Sequence, residues 1–95
     1  MTNFDSNTKS FRLVKQGTVV EAEYRVVTDR NVVSVTPACN CLSVSTSNKK
    51  VILRYKTRTV PEHLGNFQED SKFAVVRFSD GTIEKIYLKV TITRL

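Results

Sequence analysis

The last part of the chain shows the clearest alternation of hydrophobic and polar positions. From Ile86 to Ile92 every second residue is aliphatic, and the residues between them are Tyr87, Lys89 and Thr91. A two-residue period with one apolar side is typical of a strand that buries a single face.

Residues 73–78 alternate in the same way, and Ser79-Asp80-Gly81-Thr82 separates the two runs. Asp-Gly is a preferred central pair of a type I′ turn, because that turn needs positive φ angles that Gly adopts freely. We therefore predict an antiparallel hairpin over residues 73–95. A lone hairpin is marginally stable in water, so the earlier segments must cover its apolar face.

Five shorter runs suited to strands precede the hairpin, at residues 11–14, 18–27, 32–35, 42–45 and 49–57. The pattern places Tyr24, Leu53, Leu88 and Val90 in one core. About seven short strands in one chain predict an all-β fold, a single immunoglobulin-like β-sandwich of about seven antiparallel strands, with a small barrel as the alternative.

Two segments lack this periodicity. Residues 1–8 are polar, so we expect a flexible N-terminal arm, anchored at most by Phe4, before a sandwich domain over residues 9–95. Between Val60 and Gly65 the chain could form one helical turn, with Pro61 in its first turn, or a bare loop.

Composition fits one folded domain with a basic surface. The 95 residues are 40% hydrophobic and 25% charged, and 15 Lys and Arg against nine Asp and Glu give a net charge of +6. A basic balance favours anionic partners such as nucleic acid, acidic proteins or anionic lipid, although a basic surface without a partner is equally compatible. No window approaches the ~20 apolar residues of a membrane span. The first ten residues do not resemble a secretory signal, so we expect either a protein that stays in the cytoplasm where it is made, which Met1 favours, or a mature form stripped of its leader.

The sequence offers little for catalysis. His63 is the only histidine, and nothing in the spacing places it beside a cysteine. A single histidine cannot supply the usual shell of a catalytic zinc site, and no nucleophile elbow, phosphate loop or dinucleotide fingerprint is present. We expect a protein that is not an enzyme and that has no cofactor, metal or small-molecule substrate.

Cys39-Asn40-Cys41 is the most specific chemical feature. In an extended segment the two thiols would point the same way and could bind one soft metal. A disulfide between them would close a small strained ring, and a cytoplasmic location disfavours it. We therefore expect two reduced, unmetallated thiols that pack like small apolar side chains.

The run from Lys49 to Arg58 contains no acidic residue. In an extended strand four of its cations share one face with Ile52, and these are Lys50, Arg54, Lys56 and Arg58. Such a stripe could contact phosphates or an acidic protein surface. It could equally be a charged edge strand that blocks unwanted sheet pairing.

Several segments, taken in order, carry a family resemblance: VKQGTVVEAEY (14–24), a short apolar strand, Ala38-Cys39-Asn40-Cys41, and Gly65-Asn66-Phe67 before the last two strands. They resemble an uncharacterised family of bacterial immunoglobulin-like domains, related in architecture to major sperm protein and hydin-type domains. That family has a V-x-x-G turn, an S-C-G-C-T-like segment and a G-x-F in these places. Ala38 and Asn40 stand where it has Ser and Gly. The resemblance implies the sandwich and no enzymatic role.

Small free-standing immunoglobulin-like domains also decorate tailed bacteriophages, and this chain is similar to such auxiliary capsid proteins, with crAss-like phages as the specific expectation. The leading hypothesis is a non-enzymatic structural module in the virion, made in the host cytoplasm, that binds a large protein assembly such as a capsid lattice through the basic stripe. The alternatives are a nucleic-acid-binding sandwich that uses residues 49–58 and a secreted thiol or metal-binding domain that uses Cys39 and Cys41.

Overall fold

The computed structural model describes residues 2–94, apart from the side chain of Leu64, and forms two packed β-sheets. Its strands are β1 (Thr8–Lys15), β2 (Val19–Arg25), β3 (Val32–Pro37), β4 (Leu42–Ser47), β5 (Lys50–Lys56), β6 (Phe67–Phe78) and β7 (Ile83–Thr93). A single 3-10 turn, Glu62–Leu64, lies between β5 and β6. In the described part of the chain no helix is long and apolar enough to cross a membrane.

The strand order is that of an immunoglobulin-like sandwich. One sheet has the order β1-β7-β6-β3 and the other has the order β2-β5-β4, so consecutive strands repeatedly cross between layers. The predicted fold class is therefore confirmed. The molecule measures 46 × 22 × 16 Å along its principal axes, which separates its two ends widely.

β1 departs from the expected all-antiparallel arrangement because it runs parallel to β7. Phe11 lies opposite Val90 and Val14 lies opposite Ile92, so β1 uses one more residue than β7 between these two contacts. This extra residue forms a β-bulge that keeps both side chains directed inward. Leu13 lies in the bulge with a φ of 57° and is 64% exposed. The alternation of hydrophobic and polar residues does not indicate whether a strand runs parallel or antiparallel to its neighbour, so it could not predict the direction of β1.

The core forms where the inward faces of the two sheets meet. The four residues predicted to share it are all at most 3% exposed, namely Tyr24, Leu53, Leu88 and Val90. The Tyr24 hydroxyl donates to the carbonyl of Tyr87 at 2.5 Å, which provides a partner for a polar group inside an apolar layer. Burial raises the pKa of this hydroxyl well above its usual value.

Residues 2–8 pack along the sandwich, so the expected boundary at residue 8 does not mark a change in packing. Phe4 is 1% exposed, and its ring lies 5.6 Å from that of Phe78 and 6.3 Å from that of Tyr24. The amide of Asn3 donates to Glu84 at 2.8 Å. The aromatic anchor considered at Phe4 is thus part of the main core.

The β6–β7 hairpin forms where it was predicted, but its turn type differs. Gly81 has a φ of 87°, whereas Asp80 does not have a positive φ, so the type I′ expectation is wrong. The Gly81 amide donates to the carbonyl of Phe78 at 3.0 Å, and the Phe78 amide donates to the carbonyl of Thr82 at 2.8 Å. This pattern is typical of a three-residue loop in which Gly closes a bulge.

Asp80 contributes to this turn through hydrogen bonds that its carboxylate accepts, rather than through a positive φ. Hydrogen bonds from Thr82 and from the Arg30 guanidinium, whose Nε lies 2.5 Å away, hold the pKa of Asp80 far below its usual range. Because the folded pKa is depressed, this stabilisation is complete above pH ~4 and is lost as the pH falls through the folded value.

β6 begins six residues earlier than the sequence indicates. Its first half directs Gln68, Asp70 and Lys72 inward, since they lie opposite Ile92, Val90 and Leu88. The carboxylate of Asp70 accepts a hydrogen bond from the Tyr55 hydroxyl and pairs with Lys72 at 3.5 Å. Burial, followed by the hydrogen bond to Asp70, raises the pKa of Tyr55 to about 12.

Replacement of Leu88 by Ala tests the core. The side chain is fully buried in the central hairpin, so we expect a loss of about 2–5 kcal/mol in the free energy of unfolding, measured by urea denaturation. The neighbouring exposed Lys89→Ala should change it by less than about 0.5 kcal/mol. A loss near zero for Leu88→Ala would mean that the wrong face of the hairpin has been assigned to the core.

Candidate functional site

Lys50, Arg54 and Lys56 lie on the outer face of β5, as the alternation predicts, and Arg58 follows two residues beyond its end, but β5 is not an edge strand. It pairs with β2 on one side and β4 on the other. The interpretation of the stripe as a charged edge that blocks sheet pairing is therefore wrong. Because β5 has a neighbouring strand on each side, its charged side chains can act only on a partner that lies over the face of the sheet.

The first half of the stripe is neutralised within the sheet. Lys50 lies 3.3 Å from a carboxylate oxygen of Glu23, and Arg54 lies 2.8 Å from one of Glu21. The hydrogen bond from Lys50 lowers the pKa of Glu23. Exposed pairs of this kind add about 0–1 kcal/mol at most to stability. Their main consequence is that they remove two cations from the surface available to a partner.

The second half of the stripe remains uncompensated. Lys56 and Arg58 are exposed, and neither has a carboxylate partner among residues 2–94. Val19, which is 57% exposed, lies directly opposite Lys56 on β2. The four predicted residues therefore separate into a paired half and a free half.

Lys15 joins the free half from another strand. The hydroxyl of Thr57 donates to the carbonyl of Lys15 at 3.0 Å, and the Gly17 amide donates to the carbonyl of Thr57 at 3.1 Å. These bonds bring the end of β1 beside the end of β5. We call Lys15, Lys56 and Arg58, with the exposed Val19, the cationic end.

The connection from β5 to β6 closes one side of the cationic end. Val60 is buried, and its amide donates to the side chain of Gln16 at 2.9 Å. Glu62 lies in the 3-10 turn and pairs with Arg94 at 3.5 Å, so its carboxylate is already engaged. Phe67, at the start of β6, is 54% exposed. It lies opposite Thr93 of β7, and Thr93 in turn lies opposite Lys15 of β1, so the three residues form one row across the sheet. An exposed aromatic residue thus lies in the same row of the sheet as Lys15.

The sequence alone could not identify Lys15 or Phe67 as neighbours of the stripe. They lie on β1 and β6, in the opposite sheet, and the backbone of Lys15 reaches the end of β5 only because the chain crosses between layers at Gln16-Gly17. The only signal in the sequence for this neighbourhood was that Phe67 is a large hydrophobic residue, and it lies in a segment without alternation.

Cys39 and Cys41 form a disulfide, which corrects the expectation of reduced thiols. The chain turns here instead of continuing extended, because the Leu42 amide folds back onto the carbonyl of Cys39 at 3.4 Å. The Cα atoms are therefore 5.3 Å apart, within the usual range for a disulfide. Cys39 packs against the core while Cys41 is exposed. Joined in this way, neither sulfur offers a thiolate to a metal.

His63 lies exposed in the 3-10 turn. Within the described residues no group of three or more His, Cys, Asp or Glu is arranged to hold a metal ion. The expected absence of a metal and of catalysis stays a prediction.

The comparisons with known proteins bear on the fold. No protein-family model and no curated protein matches the chain. Two solved structures of an endo-fucoidan hydrolase from glycoside hydrolase family 107 match it with a TM-score of 0.60, at 10% and 9% sequence identity. The matches cover 94% and 95% of this chain but only 13% of the hydrolase chain. At such identity the likeness supports the sandwich fold alone.

The disulfide can be tested directly. Protein purified without reductant should show no free thiol and should lack the mass of two hydrogen atoms. The double variant Cys39→Ser and Cys41→Ser should lose only about 1–2 kcal/mol in the free energy of unfolding, because a disulfide that closes so short a loop restricts the unfolded chain little. Two titratable thiols, or stoichiometric zinc or copper in the purified protein, would contradict the assignment.

Proposed function

We propose that this chain is a non-enzymatic structural module that docks onto a large protein assembly through its cationic end. The observation that carries the proposal is the division of the basic stripe. Lys50 and Arg54 are neutralised by carboxylates of β2, whereas Lys56 and Arg58 have no carboxylate partner among residues 2–94, and Thr57 between them bonds to the backbone of Lys15. Three uncompensated cations on one end favour an acidic partner.

Exposed apolar side chains favour a protein over a nucleic acid. Val19, which lies opposite Lys56, and Phe67, which lies in the row of Lys15, are both more than half exposed. Protein interfaces combine an apolar centre with charged groups at the rim. A protein that binds single-stranded nucleic acid instead places several aromatic rings along a basic groove, and Phe67 is the only aromatic residue in this arrangement.

The most specific form of the proposal is decoration of a tailed-phage capsid, with the protein located in the virion and made in the host cytoplasm. The resemblance to bacterial immunoglobulin-like domains and to auxiliary capsid proteins supports it, as does a small sandwich with one charged end. An exposed disulfide is compatible with a virion surface. The activity of the fucoidan hydrolases is not carried over, because the chain matches only a small part of them.

Quantitative mass spectrometry of purified particles from the source tests the docking role. The chain should be present in a fixed ratio to the major shell protein, and purified chain should rebind particles that have been stripped of it. Absence from the particles, turnover of a small substrate, or tight DNA binding at physiological salt would contradict the proposal, and the last would favour the nucleic-acid alternative.

Two charge-matched double variants locate the contact on the molecule. Lys56→Gln with Arg58→Gln should weaken rebinding about tenfold at low salt, roughly 1.4 kcal/mol, and reduce its salt dependence. Lys50→Gln with Arg54→Gln removes the same charge from the same strand face but only from residues that already have partners. This control should change affinity by less than about threefold, and equal losses in both variants would disprove the assignment to the cationic end.

A further inference from the structure

A groove lined mainly by polar residues lies on the sheet that contains β7, between β1 and β6. Its volume is about 610 Å³, which is within the range of small-molecule sites, roughly 300–1,000 Å³. The outward-facing residues that line it come from three adjacent strands, and they are Ser10, Arg12, Lys89, Thr91, Glu69 and Ser71.

The groove exists because small hydroxyl side chains form its floor. Ser10 and Ser71 lie on either side of Lys89 in one row across the sheet, and Thr91 lies beside Glu69 in the next row. Hydroxyl groups both donate and accept hydrogen bonds, so they suit a ligand rich in hydroxyls.

Two cations border this floor without a carboxylate partner. Arg12 and Lys89 are exposed, and neither forms an ion pair within residues 2–94. Glu69 is also exposed and has no ion-pair partner among residues 2–94, whereas the carboxylate of Asp70 pairs with Lys72, so the groove carries one unpaired negative charge beside its two positive ones. An anionic group fits near Arg12 and Lys89, while Glu69 can accept hydrogen bonds from ligand hydroxyls.

Aromatic side chains continue the same face. Tyr87 and Phe73 are the next outward-facing residues along β7 and β6, and their ring centroids are 6.2 Å apart. The Tyr87 hydroxyl has no hydrogen-bond partner in the described part of the chain, whereas one face of Phe73 is covered by Lys85, whose Nζ lies 5.2 Å from the ring centroid. A half-exposed ring beside hydroxyls and charges offers an apolar surface and a hydrogen bond together.

From this arrangement we propose that the groove binds an acidic oligosaccharide, one that carries a carboxylate or a sulfate ester. An added peptide strand is excluded from this position, because β7 is already paired on both sides. A nucleic acid would place successive phosphates near Glu69, and like charges repel. A sugar chain with spaced anionic groups can pair with the two cations, and its hydroxyl groups can form hydrogen bonds with the carboxylate and with the hydroxyl groups of the floor.

Titration of the full-length, isotope-labelled chain with defined saccharides tests the proposal. The probes are a hexuronate hexasaccharide, a sulfated hexasaccharide and a neutral glucan hexasaccharide, and backbone amide shifts report binding. We expect saturable shifts at Ser71, Lys89 and Thr91 with at least one acidic probe. The two acidic probes distinguish a carboxylate from a sulfate ester.

Three variants make the result specific. Lys89→Gln should weaken binding about tenfold, and Ser71→Tyr should abolish it by filling the groove while thermal unfolding stays unchanged. Lys56→Gln, on the cationic end, should leave saccharide affinity unchanged.

Four outcomes would overturn the proposal: no shifts at millimolar saccharide, equal binding of the neutral glucan, equal or tighter binding of oligoglutamate or single-stranded DNA, or equal weakening by Lys56→Gln and Lys89→Gln. Lys56 and Arg58 lie at the end of β5, in the sheet that does not contain the groove, so either proposal can fail without the other.

Discussion

Burial of the hairpin's apolar face against the second sheet is the constraint on which the rest of the molecule depends. Leu88 and Ile86 of β7 are fully buried, as is Leu53 at the centre of β5. A chain this small buries only about 60–65% of its unfolded surface, so it has little reserve if this layer is disturbed. Phe4 extends the same core and joins the N-terminal segment to it. The outer faces of both sheets are then free to carry charge and hydroxyl groups without a stability role.

The sequence predicted the elements that bury one apolar face and missed those that do not. Alternation located the hairpin and β5, because each inward position there is hydrophobic. It missed the first half of β6, since Asp70 and Lys72 face inward but are accommodated by Tyr55. Strand direction, strand order and the bulge at Leu13 depend on long-range packing, which a local pattern does not encode.

The same limitation applies to the candidate sites. The alternation placed Lys50, Arg54 and Lys56 on one face of β5, but the separation of the stripe into paired and free halves depends on which strand lies beside β5. Glu21 and Glu23 were recognisable as outward-facing, yet only the β2–β5 register brings them to Arg54 and Lys50. The disulfide was missed for a related reason, because it depends on a turn that the spacing of two cysteines does not reveal.

A lysine acetylation footprint tests the central claim that the cationic end is the docking surface. Reactivity of each lysine is measured by mass spectrometry on the free chain and on the chain bound to its particle. The account predicts strong protection of Lys15 and Lys56 on binding, while Lys85 and Lys89, farther from this end along β7, stay as reactive as in the free chain. Protection of Lys85 and Lys89 with Lys15 and Lys56 unprotected would contradict it.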